Sequence, residues 1–310
     1  MDDDARFAPL QEAQERLNRL LAGGHTPVEG GQQAEGEGQE GRADVPVELP
    51  IAAVYIDRDN NQLVIGLSAG EEANRSRHEE QIERLLGDVP RRLTYVTVVR
   101  DDAPNKKQAC RPLWGGVRVQ SGATLSVVYD LRNGTMGTIL SGHGTGGVGT
   151  SVGQPGAPDT YGKVTINPPL TYRASDSALA VITNQRIQGQ PNAIWIAPNQ
   201  SITVSDYAIS ANTPLRLVIY MQGAQTDEIQ RGVIYAKGVT VRDARGTLVN
   251  QVLGTYSAQG GDSGAPVFYV VNSYAVYVGI HAGRMQMDQG MMPFYSPWEA
   301  IRSELKLPQY

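Results

Sequence analysis

A serine lies between glycines in the run Gly260-Gly261-Asp262-Ser263-Gly264, directly ahead of an apolar, strand-like run that reaches Phe268. Such a turn suits a serine hydroxyl that acts as a nucleophile in acyl transfer. Gly261 lets the chain turn, so that its own N–H and that of Ser263 converge where an oxyanion would develop. The alternative is a glycine-rich turn of a β protein without chemistry, so the decision rests on whether a base and an acid lie upstream.

A histidine and an aspartate occupy positions that suit these two roles. His143 ends a strand-like run that starts at Gly137, and Asp176 comes just before the apolar run 178–182. An aspartate there would accept the imidazole Nδ1–H, fix the tautomer and stabilise the imidazolium. The chain order His143, Asp176, Ser263 is that of chymotrypsin-like enzymes and differs from the subtilisin and α/β-hydrolase orders.

Three segments resemble the motifs of trypsin/chymotrypsin-like serine proteases. GDSGAPVF is similar to their nucleophile signature, LSGH to their T-A-G-H box and DSALAVI to their D-I-A-L box. The resemblance covers residues 113–310 and implies a mainly β protein, a double β-barrel with a C-terminal helix. It also implies a His143–Asp176–Ser263 triad and an oxyanion hole built from the N–H groups of Gly261 and Ser263. Gly144 departs from the cysteine that follows the histidine in secreted members, which removes a disulfide but no catalytic group. With only one cysteine in the chain, the protein fits a reducing compartment or a disulfide-free bacterial type.

The same resemblance indicates where a substrate side chain would bind. Ser257 falls at the family's pocket floor, and it lacks the charge of the aspartate found in Lys/Arg-specific members. The segment Gly279-Ile280-His281 is similar to one in glutamyl endopeptidases and some viral chymotrypsin-like proteases, where the histidine binds a Glu or Gln side chain. This implies that His281 and Gly283 line the substrate site, with a Glu/Gln preference. A histidine satisfied by its neighbours on a core strand is the alternative, and Arg284 departs from the small residue usual there.

The chain before residue 113 divides into three segments. Residues 1–45 predict a short amphipathic helix (9–22) and a polar linker, and residues 101–112 predict a second linker that could be processed. Residues 46–100 predict a small α/β unit with strands at 51–56, 63–67 and 93–99 and a helix at 71–86 that carries an exposed His78. The unit is similar in pattern to the pro-regions of some bacterial chymotrypsin-like proteases. A removable folding aid or inhibitor and a permanent accessory domain packed on the protease domain both remain open.

The start of the third region also resembles the family. Leu113-Trp114-Gly115-Gly116-Val117 is similar to the beginning of a mature protease domain. In trypsin, a new N-terminus formed there pairs with the aspartate beside the nucleophile, which is Asp262 here. Bacterial relatives manage without that step.

Local patterns predict the elements of the domain at 113–310. Asn133-Gly134 predicts a two-residue hairpin, residues 184–199 a turn-rich crossing between the barrels, and Ser296-Pro297-Trp298-Glu299 a capping box that opens the C-terminal helix. The predicted strands lie at 117–120, 125–131, 136–140, 163–166, 179–183, 202–204, 215–221, 232–241, 247–253, 267–271 and 275–281.

Composition excludes several classes of partner. The net charge of −5, the pI of about 5.5 and the lack of a Lys/Arg block argue against nucleic acid and anionic membranes. Cys110 is the one cysteine, so no intrachain disulfide forms, and with no neighbouring histidine it is a poor nucleophile. No apolar run reaches the length of a membrane span, and residues 1–4 lack a secretory pattern, so we expect a cytoplasmic protein.

No residue pattern predicts a metal or a cofactor. The His, Cys, Asp and Glu spacings match no metal site. The glycine-rich run 144–156 lacks a following Gly-Lys-Ser/Thr and a helix, so it predicts a surface loop instead of a phosphate site. Two functions therefore remain: a serine endopeptidase acting on a peptide or protein substrate, with N-terminal autoprocessing, or a protease-fold regulatory or binding protein that is inactive until processed or partnered.

Overall fold

The computed structural model describes residues 3–22, 49–99, 112–155, 160–226, 228–287 and 290–309. The two predicted linkers lie outside the described ranges, except for residue 112. His25 and Cys110 also lie outside them.

Within the described ranges the chain forms three α-helices and eighteen strands. The helices are α1 (Asp3–Leu21), α2 (Arg75–Leu86) and α3 (Trp298–Glu304). The strands of the N-terminal region are β1 (Ile51–Asp57), β2 (Gln62–Ser68) and β3 (Arg91–Val99). Those of the middle region are β4 (Leu113–Gly115), β5 (Leu125–Asp130), β6 (Met136–Ser141), β7 (Ser151–Gly153), β8 (Thr160–Ile166), β9 (Tyr172–Arg173) and β10 (Ser177–Ile182). Those of the C-terminal region are β11 (Gly189–Ala197), β12 (Gln200–Tyr207), β13 (Val218–Met221), β14 (Gln230–Asp243), β15 (Gly246–Gly254), β16 (Pro266–Val271), β17 (Tyr274–Met287) and β18 (Gly290–Pro297).

The first barrel is a five-stranded antiparallel sheet in the order β5-β6-β10-β8-β7. Its strands are short apolar runs, and its core is formed by side chains such as Leu125, Val128 and Leu140, which are fully buried. The loop that follows β6 and the loop that precedes β10 lie at one end of the sheet, because Ser141 pairs with Ser177. That end carries His143 and Asp176.

The second barrel is a closed ring of six strands. Its neighbours pair in the order β13-β14-β15-β18-β17-β16, and β16 pairs with β13 to complete the ring. The turn that carries Ser263 (residues 259–264) connects β15 with β16, so Ser263 lies at the end of this barrel.

The N-terminal strands extend this second barrel instead of forming a separate sheet. β1 pairs with β14 and β3 pairs with β17, so that β14-β1-β2-β3-β17-β18-β15 closes a second ring that shares four strands with the first. β14 and β17 have 14 residues each, long enough to run through both rings. All seven strands supply the shared core, which includes Ala53, Tyr55, Val64, Val96, Val239, Leu248, Met285 and Phe294.

Both faces of β1 and β2 are buried, whereas β3 is only partly buried. One face lies on the shared core, and α1 and α2 pack on the other through Leu10, Leu17 and Ile82. This explains why β1 and β2 are nearly continuous apolar runs. The prediction that His78 is exposed is wrong, because α2 turns that side chain inward, where it is 5% exposed.

Several local predictions are corrected by the structure. Residues 117–120 hold one isolated bridge, the predicted crossing at 184–199 contains β11, and no strand was predicted where β18 lies. Five residues separate β5 from β6, so the hairpin is longer than Asn133-Gly134 indicates. No side chain caps α3, because Ser296 bonds the backbone of Asp176 and Glu299 bonds Ser210.

Candidate active site

The turn that presents Ser263 has the geometry of a type II turn. The Asp262 N–H donates to the Gln259 carbonyl at 3.0 Å, and Gly261 has a φ of +100°. A positive φ at the third position of a type II turn favours glycine, so the sequence Gly260-Gly261 suits this conformation. Gly264, with a φ of +94°, then turns the chain into β16. Ser263 itself is buried.

Thr124 supports this turn from the first barrel, and no motif had indicated it. Its N–H donates to the Ser263 carbonyl at 2.8 Å, and its hydroxyl donates to the Gly261 carbonyl at 2.8 Å. The same hydroxyl accepts a bond from the Ala224 N–H at 3.0 Å. A Cβ on Gly264 would lie 2.1 Å from the Thr124 carbonyl oxygen, so the two backbones are in close contact.

His143 and Asp176 form a buried pair. The Nδ1 of His143 is hydrogen-bonded to Oδ2 of Asp176, and the His143 N–H donates to Oδ1 at 2.9 Å. Their side chains are 1% and 0% exposed. A carboxylate at Nδ1 favours the tautomer with its proton on that nitrogen, which leaves Nε2 as the basic nitrogen. The Ser141 hydroxyl also lies 2.9 Å from Nδ1.

The turn that carries Ser263 packs against β6, the strand that leads to His143. A Cβ on Gly264 would lie 3.2 Å from the Ser141 amide nitrogen, and Ser141 ends β6 two residues before His143. The Thr124 N–H bond to Ser263 joins the turn to the same barrel. The fold therefore brings His143, Asp176 and Ser263, which are distant in the sequence, to one junction between the barrels.

Asp262 lies in a cradle of backbone amides. Its Oδ1 accepts from the N–H groups of Gln225 and Thr226 at 2.9 and 3.1 Å, and Oδ2 accepts from Gln259 at 2.8 Å. Burial raises the pKa of the carboxyl above its ordinary value, while these amides act in the opposite direction. A Cβ on Gly223 would lie 2.0 Å from Oδ1, so the cradle requires glycine at that position.

The cradle bears on activation by a new N-terminus. Leu113, where such a terminus would begin, lies in β4, and its N–H donates to the Gln188 carbonyl at 2.9 Å. Asp262 already has three amide donors. The trypsin-type insertion is therefore not needed to hold Asp262.

The predicted pocket residues differ in their surroundings. His281 lies beside the turn that carries Ser263, because its carbonyl accepts from the Gly264 N–H and its N–H donates to the Ala265 carbonyl, both at 2.9 Å. The Nδ1 of His281 lies 3.0 Å from the Tyr256 hydroxyl, and both rings are buried. Gly283 is buried on β17, opposite Phe294 of β18, whereas Ser257 is exposed. Sequence reasoning missed Tyr256, although it adjoins Ser257.

The remaining observations concern metals, loops and membranes. Among the described residues, no group of three or more His, Cys, Asp or Glu side chains could hold a metal ion. Residues 146–150 of the predicted surface loop 144–156 are exposed, whereas residues 151–153 form β7 and residue 156 lies outside the described residues. In the ranges the structure covers, no helix is long and apolar enough to cross a bilayer.

No protein-family model and no curated protein matches this chain. Solved structures do match it. A glutamic-acid-specific serine protease, described as using a histidine triad in substrate binding, is 20% identical with a TM-score of 0.52, and the match covers 64% of this chain and 100% of that one. An α-lytic protease homologue, N4, is also 20% identical with a TM-score of 0.52, over 63% and 97% of the two chains. Protease A of Thermobifida fusca is 23% identical with a TM-score of 0.49, over 63% and 96%. The mainly β, chymotrypsin-like fold with a C-terminal helix, predicted from the motifs, is therefore confirmed.

Proposed function

We propose that this protein is a serine endopeptidase that cleaves peptide bonds through an acyl-enzyme. The observation that carries the proposal is the buried His143–Asp176 pair at the barrel junction where the Ser263 turn packs. Ser263 attacks the substrate carbonyl, and Nε2 of His143 takes the hydroxyl proton and later gives it to the leaving amine. Asp176 holds the tautomer and stabilises the imidazolium. The N–H groups of Gly261 and Ser263 bind the oxyanion.

We propose further that a Glu or Gln residue precedes the scissile bond. His281 lies next to the nucleophile turn, and Tyr256 is positioned to donate its hydroxyl proton to Nδ1. Nε2 would then carry the proton and donate to a carboxylate or amide oxygen of the substrate. The similar glutamic-acid-specific protease is described as using histidines for substrate binding, whereas here a tyrosine lies against Nδ1. Ser257 and Gly283 complete the site that we assign.

Peptides that differ only in the residue before the scissile bond test this preference. We expect Glu and Gln peptides to be cleaved faster than Lys or Phe peptides, and Y256F to reduce kcat/KM for Glu more than for Phe. Equal cleavage of all four peptides by the wild type would contradict the assignment of His281. Cleavage of none of them, by a protein whose Ser263 reacts with an active-site probe, would point to another substrate class.

We also propose autoprocessing after β3. β3 pairs antiparallel with β17, and its last residue, Val99, lies opposite Arg284, one residue from Gly283 and three residues from His281 along β17. The segment 100–111 follows Val99 in the sequence and lies outside the described residues. A cut there would leave β1–β3 paired with β14 and β17 around a shared core. We therefore assign the N-terminal unit as a permanent accessory part of the catalytic body.

Intact mass and size-exclusion chromatography together test this assignment. We expect wild type to be clipped within 100–112, S263A to stay intact, and both fragments to elute together without denaturant. Release of the N-terminal fragment would instead make it a removable pro-region. An uncut wild type that cleaves other peptides would remove autoprocessing from the proposal.

A second function is favoured by one observation. Ser263 is 0% exposed, so a substrate carbonyl needs local movement to reach it. A protease-fold regulatory or binding protein that opens only when processed or partnered would show this burial. Faster probe labelling of Ser263 after limited proteolysis would support it, and rapid labelling of the intact, isolated chain that proteolysis does not change would exclude it.

A further inference from the structure

The C-terminal helix reaches the loop that carries Asp176 through one carboxylate. Oε1 of Glu304 accepts from the Ala174 and Ser175 N–H groups at 2.6 and 3.2 Å. Oε2 accepts from the Ser175 hydroxyl at 2.7 Å and from Nε and Nη2 of Arg173 at 2.9 and 2.8 Å. Five donors from three consecutive residues thus converge on a single side chain.

The position of Glu304 is unfavourable for the helix itself. It is the last residue of α3, where the aligned peptide dipoles favour a cation over an anion. The neighbouring Arg302 suits that position and Glu304 does not. The hydrogen bonds to residues 173–175 offset this cost, so the carboxylate stabilises the loop and not the helix.

Arg173 holds the two ends of the loop together. Its side chain is 3% exposed, and its Nη1 donates to the Pro168 carbonyl while Nη2 donates to the Ser177 carbonyl, both at 2.7 Å. Glu304 neutralises this buried guanidinium, and the two carbonyls accept further hydrogen bonds from it, so the buried charge is paired and hydrogen-bonded. Asp176 lies between the residues that this pair fixes.

A second attachment comes from the second barrel. The Asp176 N–H donates to the Ser296 hydroxyl at 2.8 Å, and that hydroxyl donates to Oε1 of Gln251 at 2.7 Å. The Gln251 amide in turn donates to the Ala174 carbonyl at 2.8 Å. Ser296 lies on β18 and Gln251 on β15, whereas Asp176 belongs to the first barrel.

We infer that Glu304 is a positioning residue, which holds the Asp176 loop of the first barrel in register with the barrel that carries Ser263. This inference rests on the proposed triad. The nucleophile and its base lie on different barrels, so their alignment depends on contacts that cross the junction. Glu304, Ser296 and Gln251 supply such contacts to the loop that carries Asp176.

A double-mutant cycle with Asp176 tests whether Glu304 acts through that carboxylate. We expect E304A to lower kcat about 10- to 100-fold with KM within about twofold, because small displacements of catalytic groups cost factors of this size. In a D176A background the same change should have little further effect, since coupled residues are not additive. E304Q, which keeps one acceptor oxygen, should retain part of the activity, and the adjacent exposed S303A is the matched control.

The acid limb of the pH–rate profile measures a kinetic pKa, and a loss of stability alone would leave that pKa unchanged. A displaced Asp176 stabilises the imidazolium less, so the kinetic pKa of His143 should fall in E304A and stay unchanged in S303A. An equal loss of kcat in the wild-type and D176A backgrounds, or a lower melting temperature with an unchanged pH profile, would overturn the inference.

The Nδ1 proton resonance of His143 separates this inference from the proposed function, because it requires no turnover. We expect a strongly deshielded signal in wild type and S263A that is lost in D176A and weakened or shifted in E304A. Wild type that shows the signal but no activity would refute the peptidase proposal alone. A signal unchanged in E304A would refute the role of Glu304 alone.

Discussion

Replacement of Thr124 by valine is the sharpest test of how the nucleophile turn is supported. Valine matches the shape of threonine and removes only the hydroxyl, which donates to Gly261 and accepts from Ala224. Thr124 is 0% exposed and Ala224 2% exposed, so water cannot replace the lost partner without rearrangement. The backbone bond from Thr124 to Ser263 is retained.

The expected magnitude follows from these two bonds. A buried polar group left without a partner costs about 1–3 kcal/mol, so T124V should lose about 2–6 kcal/mol of unfolding free energy. This is a large part of the roughly 5–15 kcal/mol by which a typical domain is stable. The Gly261 carbonyl loses its hydrogen bond, but the Gly261 N–H is still present. Removal of an oxyanion donor lowers kcat by ~100-fold or more, so we expect T124V to lower kcat by less than this.

Urea denaturation and single-turnover acylation measure the two effects. T124S is the matched control, because it keeps the hydroxyl and loses only a methyl group, and we expect it to acylate at nearly the wild-type rate. An unfolding midpoint and an acylation rate of T124V equal to those of T124S would refute the role assigned to the hydroxyl.

Three further predictions concern the same site. G264A should abolish probe labelling and lower the melting temperature, because its Cβ would meet the Thr124 carbonyl at 2.1 Å with φ at +94°; G147A, with no atom within 4 Å of its Cβ, should change neither. D176N should lower kcat about 10⁴-fold in a pre-steady-state assay, because the amide favours the wrong imidazole tautomer. Burial raises the pKa of Asp262 above its ordinary value of 3.8, so the unfolded chain ionises first as the pH rises. Stability should therefore fall as the pH climbs from 3.8 through the folded-state pKa, and urea titrations should show this fall in wild type and not in D262N.

The sequence predicts candidate catalytic residues, but it does not predict the residues that hold them in position. His143, Asp176 and Ser263 carry local signatures because strand ends and glycine turns are encoded by neighbouring residues. Thr124 and Glu304 carry none, because their partners lie 50 or more residues away and their roles arise only when the barrels meet. Tertiary bonds also override local rules, as at Ser296, whose hydroxyl serves Asp176 instead of capping α3.

Local sequence patterns also could not predict how the strands of the N-terminal unit pair with the second barrel. Its strands and helix α2 were predicted within a few residues, because apolar runs and charged helical spacing are local. Nothing in those runs shows that β1 pairs with β14 and β3 with β17. The clue was that β1 and β2 are apolar on both faces, which requires a covering layer on each side.

Intact-mass analysis after reaction with a fluorophosphonate probe shows directly whether Ser263 is a reactive nucleophile. Wild type and S263A are each treated with the probe, and the modified residue is located by peptide mapping. We expect one adduct per wild-type chain, on Ser263, and none on S263A. No adduct on wild type, before or after a cut within 100–112, or an equal adduct on S263A, would contradict this expectation.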